Sequence, residues 1–299
     1  MATTTVTAKD VQLLRQRTGA GMMDCKKALE ETGGDVEKAV EYLRKKGIAK
    51  AEKRADRAAS EGAIVALVSD DAKSAALVEV NSETDFVARN EEFKALTQAV
   101  ATQVFGDAAF DGVVAVAQEG ELMKQPWHKD AGKSVADAVK EASGKTGENV
   151  VVRRYARLKT DGVIGSYVHF NGRVAVLVDI AGGEGAQVRE LANSIAQHIA
   201  AGVPKVPLGV NREDIKTDVI DRERRIYEEQ ARTAGKPEAM LGKIVDGQVN
   251  RFYAENTLLD QPWVRDDSKT IRQLVTEAGK EIGATLTVRR FARFQMGEE

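Results

Sequence analysis

Leu122-Met123-Lys124-Gln125-Pro126-Trp127-His128-Lys129-Asp130-Ala131-Gly132-Lys133-Ser134 opens a stretch that ends on Val152-Arg153-Arg154-Tyr155-Ala156-Arg157-Leu158 and recurs without a gap over residues 258–294. Gln125-Pro126-Trp127 matches Gln261-Pro262-Trp263, and Asp130, Lys133 and Ser134 match Asp266, Lys269 and Thr270. The closing run matches Val288-Arg289-Arg290-Phe291-Ala292-Arg293-Phe294. Upstream, Glu61-Gly62-Ala63-Ile64 with Ala75-Ala76-Leu77-Val78-Glu79-Val80 parallels Asp161-Gly162-Val163-Ile164 with Ala175-Val176-Leu177-Val178-Asp179-Ile180. The core is therefore written twice. Copy one continues Asn81-Ser82-Glu83-Thr84-Asp85-Phe86-Val87-Ala88, where copy two has only Ala181-Gly182-Gly183-Glu184-Gly185. Both copies retain what packing needs, so a segment retained in one alone is a candidate for function.

With 299 residues the chain has room for two or more domains, each with a core. Hydrophobic content of 42% and charge of 30% are globular values. A net charge of −2 argues against a protein that coats nucleic acid, which needs a basic excess for counterion release. No apolar run approaches the roughly 20 residues of a membrane helix. The start, Met1-Ala2-Thr3-Thr4-Thr5, lacks the apolar region of a signal peptide. A lone cysteine, Cys25, has no internal disulfide partner, which fits a reducing cytoplasm.

Residues 8–46 read as three short helices. Val11 and Leu14 share a face of the first, and Thr18-Gly19-Ala20-Gly21 breaks it. Met22, Cys25, Ala28 and Leu29 recur at helical spacing, and Asp35 caps a third helix carrying Val36, Ala39, Val40 and Leu43. Residues 47–60 are charged and poor in large apolar side chains, as in a linker that is helical in part, so residues 1–46 read as a tethered module. In copy one, strands over 63–68 and 75–80 precede a helix capped by Asn90, with Phe93, Leu96, Val100 and Val104 on its buried stripe. A second helix is expected over 113–123, a third begins at Ser134 with Asp137 in a capping box, and a strand covers 149–159. In copy two, Asn171-Gly172 reads as a two-residue hairpin turn. Copy two also carries an insertion of about 36 residues, read as helices over 211–233 and 237–256. Their partial apolar seam must pack on a second chain or a partner.

No nucleotide-binding glycine loop, nucleophile elbow or zinc spacing is present. Cys25 falls on an apolar stripe and reads as core. His128, which copy two replaces by Val264, and His169 read as surface or packing residues. The Arg pairs read as structural: Val150, Val152, Arg154, Ala156 and Leu158 alternate onto one strand face, where a long stem packs and its head reaches a carboxylate. Thr84-Asp85-Phe86-Val87-Ala88 is expected to be an exposed loop between strand and helix. Two readings of Phe86 stay open: it folds back onto its own core, or it enters a partner's pocket. Its absence from copy two favours the pocket.

Leu14-Arg15-Gln16-Arg17-Thr18-Gly19-Ala20-Gly21-Met22-Met23-Asp24-Cys25-Lys26-Lys27-Ala28-Leu29 and Asn81-Ser82-Glu83-Thr84-Asp85-Phe86-Val87-Ala88 resemble the two signature stretches of the bacterial elongation factor Ts family. The resemblance covers nearly the whole chain. It implies an exchange factor for the GTPase elongation factor Tu, with no bond made or broken, no cofactor and no metal. The factor binds the GDP-bound GTPase, disturbs its magnesium and phosphate site, releases GDP and stays on the nucleotide-free form until GTP arrives. Thr84, Asp85, Phe86 and Val87 match the family's magnesium-dislocation loop. Arg15, Met22 and Met23 match residues that touch the GTPase domain, and His198 matches a histidine that meets another domain of Tu. Some family members continue past residue 299 into a C-terminal helix, whose contacts the resemblance implies are missing here.

The expected fold class is α+β. Residues 1–46 are the three-helix module, resembling ubiquitin-associated domains, and 47–60 the linker. Residues 61–160 form core copy one, 161–204 with 258–299 form copy two, and 205–257 the inserted coiled-coil hairpin. The expected setting is cytoplasmic, with Tu as partner, the hairpin as a candidate homodimer surface, and no direct contact with nucleic acid or membrane. The competing classes are an adaptor that uses its three-helix module without exchanging nucleotide and, disfavoured by charge, a nucleic-acid protein.

Overall fold

The computed structural model describes residues 6–117 and 120–298, with residues 48 and 50 described by backbone alone. The signal-peptide reading of residues 1–5 lies outside the described residues. The chain is α+β. In order it forms α1 (Ala8–Thr18), α2 (Met22–Glu31), α3 (Val36–Glu52), β1 (Glu61–Val68), β2 (Ser74–Ser82), α4 (Asp85–Ala88), α5 (Glu91–Gly106), β3 (Gly112–Val116), β4 (Pro126–Trp127), β5 (Asp130–Ser134), α6 (Val135–Thr146), β6 (Val151–Lys159), β7 (Val163–Val168), β8 (Val174–Ala181), α7 (Ala186–Ala201), α8 (Thr217–Thr233), α9 (Glu238–Asn256), β9 (Pro262–Trp263), β10 (Asp266–Thr270), α10 (Ile271–Ile282) and β11 (Thr287–Gln295).

Two antiparallel sheets carry the core. One runs β1-β2-β6-β3 and the other β7-β8-β11. Their central strands are buried on both faces. Ala75 and Leu77 of β2 point with Ala156 and Leu158 towards Ala175, Leu177, Ala292 and Phe294 of the other sheet. Ala76, Val78 and Val80 point the other way, onto the Phe93 and Val100 face of α5 and the Val135 and Val139 face of α6. In the second sheet Val176, Val178 and Ile180 meet Val188, Ile195 and Ile199 of α7 and Ile271 and Val275 of α10. The layers are therefore helix, sheet, sheet, helix. A strand with helices behind it and a sheet in front reads as a continuous apolar run, and β2 and β8 do so because neither face is wet.

Where an element departs from the sequence reading, a local cause is visible. The expected helix over 113–123 is instead β3, followed by a single 3-10 turn at Glu121–Lys124; residues 118–119 of that reading lie outside the described residues. Val113, Val114 and Val116 are β-branched, and an edge of β6 is free to pair with them. The row Val150, Val152, Arg154, Ala156, Leu158 is broken at Arg153, where the β2–β6 register shifts. Val150 and Val152 face the helices, whereas Ala156 and Leu158 face the other sheet. One extra residue flips every side chain beyond it. Arg154 keeps its expected role, its Nε 2.7 Å from Glu79 Oε2. The turn at Asn171-Gly172 spans four residues, closed by Gly172 N–H donating to His169 O at 2.8 Å, and Gly172 alone carries a positive φ, +68°.

Residues 8–52 are not a free module. α1–α3 enclose Leu14, Cys25, Ala28 and Leu29 in a cluster of their own, but α3 continues through the expected linker to Glu52 and lies against α6. At the crossing the backbones nearly touch: a Cβ on Gly144 would lie 3.1 Å from Gly47 Cα. Arg44 Nε to Glu141 (2.6 Å) and Lys140 Nζ to Glu52 (2.9 Å) flank it.

α8 and α9 form the inserted antiparallel pair, preceded by a 3-10 turn at Arg212–Asp214. Their seam, expected to pack on a second chain or a partner, closes on itself around Ile215, Ile220, Val245, Val249 and Phe252. Ile226 and Met240 are its large apolar residues left exposed.

Candidate functional site

Ser82 ends β2 buried, and its hydroxyl donates to Thr84 O at 3.0 Å, which turns the chain out of the sheet. Thr84 is extended (φ −127°, ψ 157°) and its Oγ1 accepts from Val87 N–H at 3.4 Å, as a helix N-cap does. Asp85 to Ala88 then make a single helical turn, α4, where the sequence reading placed a loop. Asp85 sits in its first turn and pairs with Arg89 NH2 at 2.9 Å. Val87 and Ala88 pack on the core cluster behind α5. Phe86 points the other way and is 84% exposed. Of the two readings of Phe86, folding back onto the core is excluded. The chain holds out a bare aromatic ring on a capped turn whose other side is anchored.

Two backbone segments converge on that turn. Glu148, between α6 and β6, accepts at Oε2 from the N–H groups of Glu83 (3.1 Å) and Thr84 (3.0 Å), and at Oε1 from the Thr84 hydroxyl (2.6 Å). Glu83 reciprocates, its Oε1 accepting from Asn149 N–H at 2.6 Å. The Asn149 amide donates to Ala55 O (3.1 Å) and Arg57 O (2.7 Å), which brings the stretch after α3 to the same place. Neither Glu148 nor Asn149 was singled out by sequence reading. The signal was present: Gly147-Glu148-Asn149 stands opposite Gly283-Ala284-Thr285 in the second half, the same one-sided retention that marked Phe86.

Arg15, Met22 and Met23 gather at the α1–α2 corner. Gly19 ends α1 in the left-handed region and Gly21 caps α2. Arg15 is exposed, and Met22 and Met23 are 58% and 75% exposed. Cys25, Ala28 and Leu29 are buried as the helical stripe requires, while Met22, grouped with them by spacing, is not.

His198 belongs to neither group. It lies on the inner face of α7 at 1% exposure. Its Nδ1 accepts from Val264 N–H at 3.2 Å, which leaves Nε2–H to donate to Gln261 Oε1 at 2.9 Å. The Gln261 amide in turn donates to Lys205 O and Glu255 O, at the root of the α8–α9 pair. Burial lowers the His198 pKa and the Gln261 hydrogen bond opposes that shift. In the chain alone this ring is enclosed and satisfied as a neutral group. His198, expected as a partner contact, is enclosed in the free chain, where its ring ties α7 to the β9–β10 hairpin.

Among the described residues no group of three or more His, Cys, Asp or Glu is arranged to hold a metal ion, and no helix is long and apolar enough to cross a membrane.

A family model described as elongation factor TS matches residues 83–298. Curated relatives similar to this chain include the elongation factor Ts of Aquifex aeolicus, 45% identical over 98% of each chain. That of Halothermothrix orenii is 43% identical over 98% of this chain and 93% of that protein. That of Trichlorobacter lovleyi is 42% identical with the same coverage.

Proposed function

The chain belongs to the elongation factor Ts family, and on that premise we propose that it is the guanine nucleotide exchange factor for elongation factor Tu. Phe86 carries this reading: a large apolar ring, exposed in the free chain and mounted on a turn that the second half of the fold lacks, has the form of a wedge. Inserted beside the GTPase's nucleotide site, it disturbs the magnesium and phosphate environment and GDP leaves. Asp85 supplies the polar contact of the same turn, and Thr84 and Val87 hold it. Arg15, Met22 and Met23 make a second contact with the GTPase domain. His198 acts from within, shaping the surface at Val264 and the root of the hairpin. The helical unit, the two sheet-bearing halves and the hairpin are the parts this reading uses, and the cytoplasm is where it operates.

No covalent step is involved. The wedge stabilises the strained, nucleotide-poor state of the partner more than the GDP-bound state, which is how differential binding accelerates a process. A thousandfold faster release requires about 4 kcal/mol off the barrier. Burying a phenylalanine side chain contributes roughly 1.5–3 kcal/mol, and a weakened magnesium contact makes up the rest. Linkage makes the effect reciprocal: whatever affinity the factor removes from GDP, GDP removes from the factor. The test is release of a fluorescent GDP from Tu, with and without this protein. Acceleration supports the reading, and retention of nucleotide-free Tu that is lost on adding GDP separates it from an adaptor.

A further inference from the structure

We propose, resting on the exchange reading above, that Glu148 is the positioning residue of the Phe86 turn. α4 contains four residues, fewer than a helix needs for stability in isolation, because nucleation fixes several residues for a single hydrogen bond. A freely moving Phe86 would lose conformational freedom on entering a pocket, and that loss comes out of the binding energy. The Glu148 carboxylate removes the difficulty in advance. It accepts from both N–H groups that lead into α4 and from the Thr84 hydroxyl, which is itself the N-cap.

The clamp is two-way. Glu148 takes the backbone of the 83–84 step, and Glu83 takes the backbone N–H of Asn149. Two acidic side chains lie on neighbouring strand ends, and donors face both: two N–H groups and a hydroxyl at Glu148, and the Asn149 N–H at Glu83. Arg57 NH1, 3.4 Å from Glu83 Oε1, adds a cation at the margin.

Duplication separates a clamp for function from a clamp for folding. Both α6 and α10 end on a left-handed glycine, Gly147 and Gly283, so the residues that follow correspond: Glu148 with Ala284, Asn149 with Thr285. The second half closes the same junction between its middle strand and next helix with Gly182 and Gly185, both at positive φ, and its one carboxylate there, Glu184, pairs with Lys73 Nζ at 2.5 Å instead of clamping the backbone. Strand, helix and return strand thus pair without the clamp. It is present only where there is a turn to hold.

The test uses the full chain in a release assay of fluorescent GDP from Tu, read at saturating factor, for the parent, Glu148→Ala, Glu148→Gln, Phe86→Ala and the double variant Glu148→Ala/Phe86→Ala. Thermal midpoints and amide hydrogen exchange at Glu83 and Thr84 are measured alongside. The expectation is that Glu148→Ala slows saturated release by about tenfold, the scale of ordering one side chain. Glu148→Gln, which keeps one acceptor oxygen, falls between Glu148→Ala and the parent. The Glu83 and Thr84 amides lose protection, and the double variant is no slower than Phe86→Ala alone. If Glu148→Ala proves poorly folded, Glu148→Gln carries the same comparison. A silent Phe86→Ala overturns the exchange reading on which the proposal rests. A slow Phe86→Ala beside a silent Glu148→Ala, or defects that multiply in the double variant, overturns the proposal alone.

Discussion

His198 and Gln261 face each other across the base of the helical pair with Nε2 2.9 Å from Oε1. The other half of the molecule builds the same contact from Gln103 and Gln125, Nε2 to Oε1 at 3.1 Å, and Gln103 Oε1 accepts from His128 N–H at 2.9 Å just as His198 Nδ1 accepts from Val264 N–H. A glutamine amide and a neutral imidazole are interchangeable here: each presents one acceptor and one donor in the needed directions.

The exchange His198→Gln is therefore expected to preserve the fold and to change its pH dependence. The ordinary histidine value is 6.5, and burial lowers it in the folded chain. Below 6.5 the unfolded histidine takes up a proton that the folded one refuses. Stability contributed by the neutral ring is thus complete above 6.5 and is lost as pH falls from there towards the lowered folded value. Urea midpoints at several pH values check this. The parent should lose stability faster than His198→Gln on acidification, and parallel curves would contradict the assignment of a buried neutral ring.

Arg154 and Glu79 form a buried pair, with the guanidinium also 4.7 Å from the centre of the Phe294 ring. Glu79 is fully buried, so Arg154→Met leaves a charge without its cation. We expect a loss of about 3–5 kcal/mol, the usual cost of breaking one side of a buried pair. Urea unfolding measures it, and a loss below about 1 kcal/mol would show that the Glu79 charge is held by other groups.

At the α3–α6 crossing a Cβ on Gly144 would lie 3.1 Å from Gly47 Cα, so a side chain there is crowded against backbone. Gly144→Val should push α3 away and lower stability by about 1–3 kcal/mol, the range for overpacking. Under the exchange reading it should also weaken Tu binding, since Met22 and Met23 ride on the displaced unit. Calorimetry and a binding titration read the two effects. An unchanged midpoint would mean that the helical unit is tethered rather than docked.

The α8–α9 pair buries its own seam, so replacing residues 218–251 by a short Gly-Ser bridge should leave the two sheets and their helices folded. Circular dichroism and the thermal transition decide this. Collapse of the transition would show that the sheets depend on the hairpin.

Much of this was legible in the sequence because duplication is a comparison built into the chain. The capping residues Asn90, Ser134 and Asp35 and the apolar runs of β2 and β8 read directly, since their signals are local. The bulge at Arg153 did not, because register is set by the partner strand and a one-residue slip leaves no mark on alternation. The β3 segment misled because an apolar run fits helix or strand until an edge is there to pair with it. The docking of α3 was hidden because Gly47 and Gly144 signal nothing singly and meet only in three dimensions. Phe86 and Asp85 were singled out by one-sided retention and by the family motif, whereas Met22 and Met23 came from the motif alone, and Met22 is exposed although its spacing grouped it with the buried stripe. Glu148 and Asn149 were missed, though the same one-sided retention marked them. His198 was read by its sequence match as a contact, and only the enclosing network gives it an internal role.

The central claim is that Phe86 drives nucleotide release, and the measurement closest to it is the rate at which Tu sheds fluorescent GDP at saturating concentrations of the parent and of Phe86→Ala, each with its thermal midpoint. Because the ring is 84% exposed, its removal should leave the midpoint nearly unchanged while release slows at least tenfold, the equivalent of about 1.4 kcal/mol of barrier. Asp85→Ala should slow release less, since the ring remains. A Phe86→Ala variant that releases GDP at the parent rate would contradict the account, as would one whose defect is matched by a loss of folded protein.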